Sequence, residues 1–114
     1  MEDALTLSVH VHDAVHGGLI AGIPVHLEHQ NGQRWHTLLS GITNERGSCA
    51  HTTATGPETG TYRWVLATGD YYRTLGIRAL HPEISIAFTV AEAVPRFLTS
   101  LVISPHSYTT YRGF

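Results

Sequence analysis

The sequence predicts an all-β fold, an antiparallel sandwich of two sheets, and three observations carry that reading. Apolar and polar residues alternate strictly from Leu5 to His12, and Ile84, Ile86, Phe88 and Val90 recur with a period of two. Seven or eight short strand-like segments follow one another, with turn signals every eight to twelve residues. No repeat, charge run or low-complexity linker interrupts them, so residues 1–114 read as a single domain with one core.

The first strand, Leu5 to His12, points Leu5, Leu7, Val9 and Val11 one way and Thr6, Ser8, His10 and His12 the other, as a half-buried strand with a polar outer face does. Asp13 to Gly22 is a glycine-bearing connection. Ile23 to His29 is a second strand opening at Pro24, where a missing N–H is tolerated. Asn31-Gly32 signals a hairpin, since both residues accept positive φ, and leads into a strand from Arg34 to Leu39. Thr43 to Ser48 reads as a tight turn feeding a short strand that runs to about Thr53. A loop at Gly56-Pro57-Glu58-Thr59-Gly60 precedes a strand from Tyr62 to Ala67. Asp70 to Leu75 is the one helical segment, with Asp70 as N-cap and Gly76 as its stop. Ile84, Ile86, Phe88 and Val90 mark another strand, and a final pair, Arg96 to Ile103 and His106 to Arg112, is split by Ser104-Pro105. Chain ends fray unless they are docked. The tyrosines and strand-favouring residues of Ser104 to Phe114 predict a last strand held in a sheet, where its final residues help to form a site.

Composition narrows the function. A chain with 42% hydrophobic and 14% charged residues is globular, and a net charge of −2 offers no field for gripping phosphate backbones or an anionic membrane. Neither nucleic acid nor a membrane is an expected partner. The acidic opening Met1-Glu2-Asp3-Ala4 leads into no apolar run, so neither a signal peptide nor a membrane span is expected, and the single Cys49 fits a reducing cytoplasm. Nine histidines against seven lysines plus arginines is the compositional oddity, because imidazole titrates near neutrality and binds metals.

Alternation places the candidate site. His10 and His12 share the outer face of the first strand, Leu98, Ser100 and Val102 one face of the penultimate strand, and Ser107, Thr109 and Tyr111 one face of the last. If these strands are neighbours, their sheet presents a surface part polar and part apolar, and leaving Leu98 and Val102 in water costs roughly 1.5–3 kcal/mol each. A ligand or a second subunit is the expected cover. His-x-His spacing also suits a metal, with His51 or His106 as a third ligand, but no carboxylate is placed nearby and no metal or other cofactor is expected. The remaining histidines read as structural or surface residues, Cys49 as a small buried apolar residue, and Trp35 and Trp64 as core or interface anchors.

Several segments together resemble the transthyretin-like 5-hydroxyisourate hydrolases and their carrier relative, transthyretin. They are Val9-His10-Val11-His12-Asp13, Gly22-Ile23-Pro24-Val25-His26-Leu27, Thr43-Asn44-Glu45-Arg46-Gly47, Thr68-Gly69-Asp70-Tyr71-Tyr72, His81-Pro82-Glu83-Ile84, Ser104-Pro105 and Tyr111-Arg112-Gly113. The resemblance implies two four-stranded sheets with one short helix, a homotetramer built as a dimer of dimers, and a small cyclic substrate in the channel between the dimers. It implies functional roles for His10 and Tyr111. The family arginine after the turn glycine falls on Ser48, its second catalytic histidine on Leu98 and its terminal serine on Phe114.

The catalytic candidates are therefore His10 as acid or base, His12 as its partner in a proton relay, and Tyr111 as donor to a developing oxyanion. Arg46, Ser48, Leu98, Ser100, Val102, Thr109, Arg112, Gly113 and Phe114 are the substrate-binding candidates. Three functions follow. The first is a diverged transthyretin-fold enzyme using His10 on a less anionic ring, by ring opening, cyclisation or isomerisation. The second is a 5-hydroxyisourate hydrolase of purine breakdown, with Arg46 and His12 standing in for the lost groups. The third is a non-catalytic carrier of an aromatic small molecule.

Overall fold

A computed structural model describes residues 5–53, 59–92 and 94–113. The expected features at Met1 to Ala4, Gly56-Pro57-Glu58 and Phe114 lie outside the described residues. Among the described residues eight strands and one helix follow in the order β1 (Thr6–Asp13), β2 (Pro24–Asn31), β3 (Arg34–Ile42), β4 (Ser48–Thr52), β5 (Gly60–Leu66), α1 (Thr68–Thr74), β6 (Ile84–Val90), β7 (Arg96–Ile103) and β8 (Tyr108–Gly113). They make two four-stranded sheets, ordered β4-β1-β7-β8 and β3-β2-β5-β6.

The core lies between the sheets. From the first sheet, Leu5, Leu7, Val9, Val11, Phe97, Leu101 and Ile103 point inward, and from the second Val25, Leu27, Tyr62, Trp64, Leu66, Ile84, Ile86 and Val90 meet them. Alternation along β1 thus sets the function of each residue, because burying its apolar face presents Thr6, Ser8, His10 and His12 outward. Trp64 is fully buried, as a core anchor should be. Trp35 instead lies on the outer face of the second sheet beneath the Arg63 guanidinium, 4.1 Å from its ring centroid.

Three local expectations change. The pairing of β1 with β7 is parallel, while the other strand pairs are antiparallel. A parallel pair needs a long crossover, and the intervening strands of the second sheet supply it. At the β2–β3 hairpin only Gly32 takes positive φ (65°). Asn31 still pairs with Arg34, so the two-residue loop is Gly32-Gln33, with glycine at the first central position as type II′ turns require. The helix starts at Thr68, its N-cap Ala67 makes no side-chain bond, and Asp70 sits inside the first turn. There its carboxylate accepts a hydrogen bond from Arg73 at 2.7 Å. Gly76, at φ 72°, follows the helix end as expected.

The turn before β4 depends on its glycine. Asn44 Oδ1 accepts the backbone N–H groups of Arg46 and Ser48, and Gly47 takes φ 67°. A Cβ on Gly47 would stand 2.6 Å from the Val11 carbonyl oxygen, so only glycine lets this turn lie against β1 and deliver Ser48 beside His10.

Candidate active site

Register, more than any single residue, builds the candidate site on the outer face of the first sheet. His10 pairs with Ser48 of β4 on one side and Ser100 of β7 on the other, and Ser100 pairs with Tyr111 of β8. These four residues form one transverse row, with neighbouring strands about 4.8 Å apart. The next row is Ala50, Ser8, Leu98 and Gly113, and on the far side His12, Val102 and Thr109 align. The face that alternation predicts is therefore assembled, with polar and apolar residues interleaved.

A cavity of about 250 Å³ opens on this face, lined by Thr6, Ser8, His10, Arg96, Leu98, Arg112 and Gly113. Leu98 forms an apolar wall. Gly113 leaves room for Leu98, since a Cβ there would lie 2.6 Å from Leu98 Cδ2 and 3.0 Å from Ser100 Oγ, and the Leu98 side chain would have to shift. Ser100 is buried at 4% exposure, and its carbonyl oxygen accepts the Thr110 hydroxyl at 2.8 Å, which ties β8 to β7. Tyr111 remains 54% exposed. Among the described residues, no hydrogen bond or ion pair engages the side chains of Ser8, His10, Ser48 or Tyr111.

Burial holds the His10 imidazole below its ordinary pKa of 6.5, and the neighbouring charge of His12 adds to the effect. His10 is thus poised neutral at physiological pH, the form a general base requires. Burial pushes the Cys49 thiol up, the opposite of an activated nucleophile.

Other candidates fall elsewhere. Arg46 occupies the exposed turn before β4 and does not line the cavity, because the reversal at Gly47 breaks the alternation that would align it with Ser48. Alternation turns Arg112 toward the inner side, and its guanidinium stands 4.3 Å from the Phe97 ring centroid, although the residue also lines the cavity. Val102 and Thr109 lie a row beyond His10. His51 pairs with Leu7 and so faces away from His10, and His106 precedes β8. Among the described residues no three His, Cys, Asp or Glu side chains cluster as a metal site would need. Thr6, Ser8 and Arg96 are the cavity residues that the sequence candidates omit, and of these Arg96 alone carries a charge. Its signal is parity, for it shares the face of Leu98 and Ser100.

The outer face of the second sheet also carries a histidine and an arginine, but they are paired. Glu28 accepts a hydrogen bond from Arg63 Nε, and its other carboxylate oxygen lies 3.5 Å from His26 Nε2. His16 likewise lies 3.2 Å from Asp13, and His29 stacks on Tyr62 at 4.4 Å. His16, His26 and His29 thus make local contacts outside the candidate site.

Comparison with known proteins gives the same fold and places a named activity among the relatives. The sequence profile described as HIUase/Transthyretin family matches residues 7–113. The 5-hydroxyisourate hydrolase of Pseudomonas aeruginosa is 34% identical over 113 residues, spanning 94% of this chain and 90% of the relative. Among solved structures, Klebsiella pneumoniae 5-hydroxyisourate hydrolase superposes with a TM-score of 0.82 at 28% identity, covering 100% of both chains. Transthyretin from Sparus aurata superposes at 0.84 with 24% identity over 94% of this chain and 95% of that one, a likeness of fold.

Proposed function

Since this chain belongs to the HIUase/Transthyretin family, we propose that it is a hydrolase that opens a small cyclic amide, with 5-hydroxyisourate as the leading substrate. The observation that carries the reading is the row Ser48, His10, Ser100 and Tyr111 beside a 250 Å³ cavity, with the imidazole held neutral. Neutral His10 takes a proton from water as its oxygen attacks the ring carbonyl, then returns it to the departing ring nitrogen. The Tyr111 and Ser48 hydroxyls donate to the oxyanion that forms, and His12 tunes the charge on His10. Leu98, Ser100 and Gly113 shape the apolar side of the ring pocket, with Val102 and Thr109 extending it.

The relatives named for 5-hydroxyisourate favour that substrate over the less anionic ring that Ser48 and Leu98 suggest. A second reading, a different small cyclic substrate, draws on Leu98, an apolar side chain in the cavity at the position where the resemblance implies a histidine. Adding the purified protein to freshly generated 5-hydroxyisourate and following its ultraviolet decay separates the two. Acceleration over spontaneous decay is expected; decay at the background rate eliminates the first reading and leaves the second. Ligand binding without turnover, insensitive to loss of His10, would support a carrier instead.

We further read the working unit as a cytoplasmic homotetramer in which a second dimer closes the open face. The exposed Tyr111 and the half-exposed Leu98 and Val102 support this, since apolar surface of this kind is normally covered. Solution mass by light scattering tests it, and a monomer at working concentration removes it.

A further inference from the structure

We propose that Arg96 is the anion-holding residue of this cavity and that it selects planar rings carrying an ionised O–C–N or O–C–O edge at the end remote from His10. The proposal deepens the hydrolase reading and rests on it for the identity of the reacting end. Arg96 opens β7 and pairs with Thr6, four residues from the Ser100 that pairs with His10. Its Cα therefore lies about 13 Å along the strands from the His10 row, at 3.3 Å per residue. The same 250 Å³ cavity touches both Arg96 and His10, with Ser8 and Leu98 also in its lining.

The electrostatics of the face point the same way. Among the described outer-face residues of β4, β1, β7 and β8, none is acidic. Among the described residues Arg96 makes no ion pair, whereas Arg63 and Arg73 are neutralised by Glu28 and Asp70. The other cavity arginine, Arg112, packs its guanidinium over Phe97. Arg96 thus presents a planar fork of donors on a rigid strand, the geometry that binds an O–C–N or O–C–O edge through two parallel hydrogen bonds. The anion at one end and His10 at the other would orient the ring between them, with the Ser8 hydroxyl and Leu98 alongside.

The test is calorimetric binding of two non-hydrolysed probes, urate as its monoanion and uncharged caffeine, to the wild-type protein, Arg96→Gln and Arg96→Lys. Arg96→Gln should weaken urate binding by roughly 10- to 100-fold, the loss expected for a charge-assisted hydrogen bond, with caffeine unchanged and Arg96→Lys intermediate. Equal urate affinity in wild type and Arg96→Gln overturns the proposal, as does failure of the wild type to bind urate at millimolar concentration. Unfolding midpoints of both variants should match the wild type, because Arg96 is exposed. With 5-hydroxyisourate, Arg96→Gln should raise KM and leave kcat within a few-fold. Urate binding that needs Arg96 in a protein that does not accelerate 5-hydroxyisourate decay would retain the anion site and discard the hydrolase reading. Acceleration untouched by Arg96→Gln would do the reverse.

Discussion

The outer faces of the two sheets carry the same kinds of side chain and use them differently. On β3-β2-β5-β6 the carboxylate of Glu28, 13% exposed, is shared between Arg63 and His26, and Trp35 lies under the guanidinium. The charged groups of this cluster are engaged by one another, so it neutralises itself without a ligand. On β4-β1-β7-β8 a histidine, an arginine and hydroxyls stand over a cavity with no carboxylate among the described outer-face residues. A histidine beside an arginine therefore signals little by itself. What separates a structural cluster from a candidate site is whether the cluster neutralises its own charge.

Loss of His10 should break this contrast most severely. His10→Ala is expected to lower kcat/KM for the ring-opening reaction by about 10²–10⁴-fold, the usual contribution of a general acid or base. Its unfolding midpoint should change little, because no hydrogen bond among the described residues depends on the imidazole. Steady-state rates and chemical denaturation on the same preparation check both halves. A rate within a few-fold of wild type would remove His10 from the chemistry.

The scaffold beneath the open face gives the next largest effect, on stability. Gly47→Ala places a Cβ 2.6 Å from the Val11 carbonyl oxygen at φ 67°, where backbone atoms cannot move aside as a side chain can. A cost of about 3 kcal/mol or more is expected, combining left-handed strain with the clash. Denaturant titration measures it, and a loss below about 1 kcal/mol would show that the turn re-forms without its glycine.

Much of this arrangement is legible in the chain itself, for reasons that differ by element. β1 is plain because its apolar face is buried and its polar face is not, so a period of two survives in the letters. Ser48, Ser100 and Tyr111 fall on predictable faces, but their alignment with His10 is a matter of register between strands far apart in the chain. No local pattern encodes that register, nor the parallel direction of β1 against β7. Arg46 misleads because alternation fails across a turn. Arg96 is hidden for the opposite reason: its face is readable, but only the pairing with Thr6 brings it to the cavity of His10.

The closed face should answer to mutation in the reverse sense. Glu28→Gln removes the charge shared by Arg63 and His26 and leaves a half-buried guanidinium uncompensated, for an expected loss of about 1–3 kcal/mol of stability. kcat/KM should stay at the wild-type value, since the cluster lies on the sheet opposite the cavity. A fall in rate without a fall in stability would mean that the two faces are coupled, and the contrast drawn from their pairing would no longer hold.

The smallest effect discriminates between two uses of a charge. Burial, and after it the neighbouring His12, lowers the His10 pKa below 6.5. A neutral base then gives a kcat/KM that rises with pH through a midpoint below 6.5 and levels off by neutrality. The sign for stability follows from proton counting. Between the folded pKa and 6.5 the unfolded chain binds more protons at this residue than the folded one, so stability falls as pH drops through that window and rises again with pH. His12→Gln removes the second cause and leaves the first, so the midpoint should move up toward 6.5 without reaching it. If His12 acts only through its charge on His10, the rate on the plateau is unchanged, because His10 is already neutral there. A plateau that collapses with the midpoint in place would instead make His12 part of the proton path, and a pH profile of the two proteins side by side tells these apart.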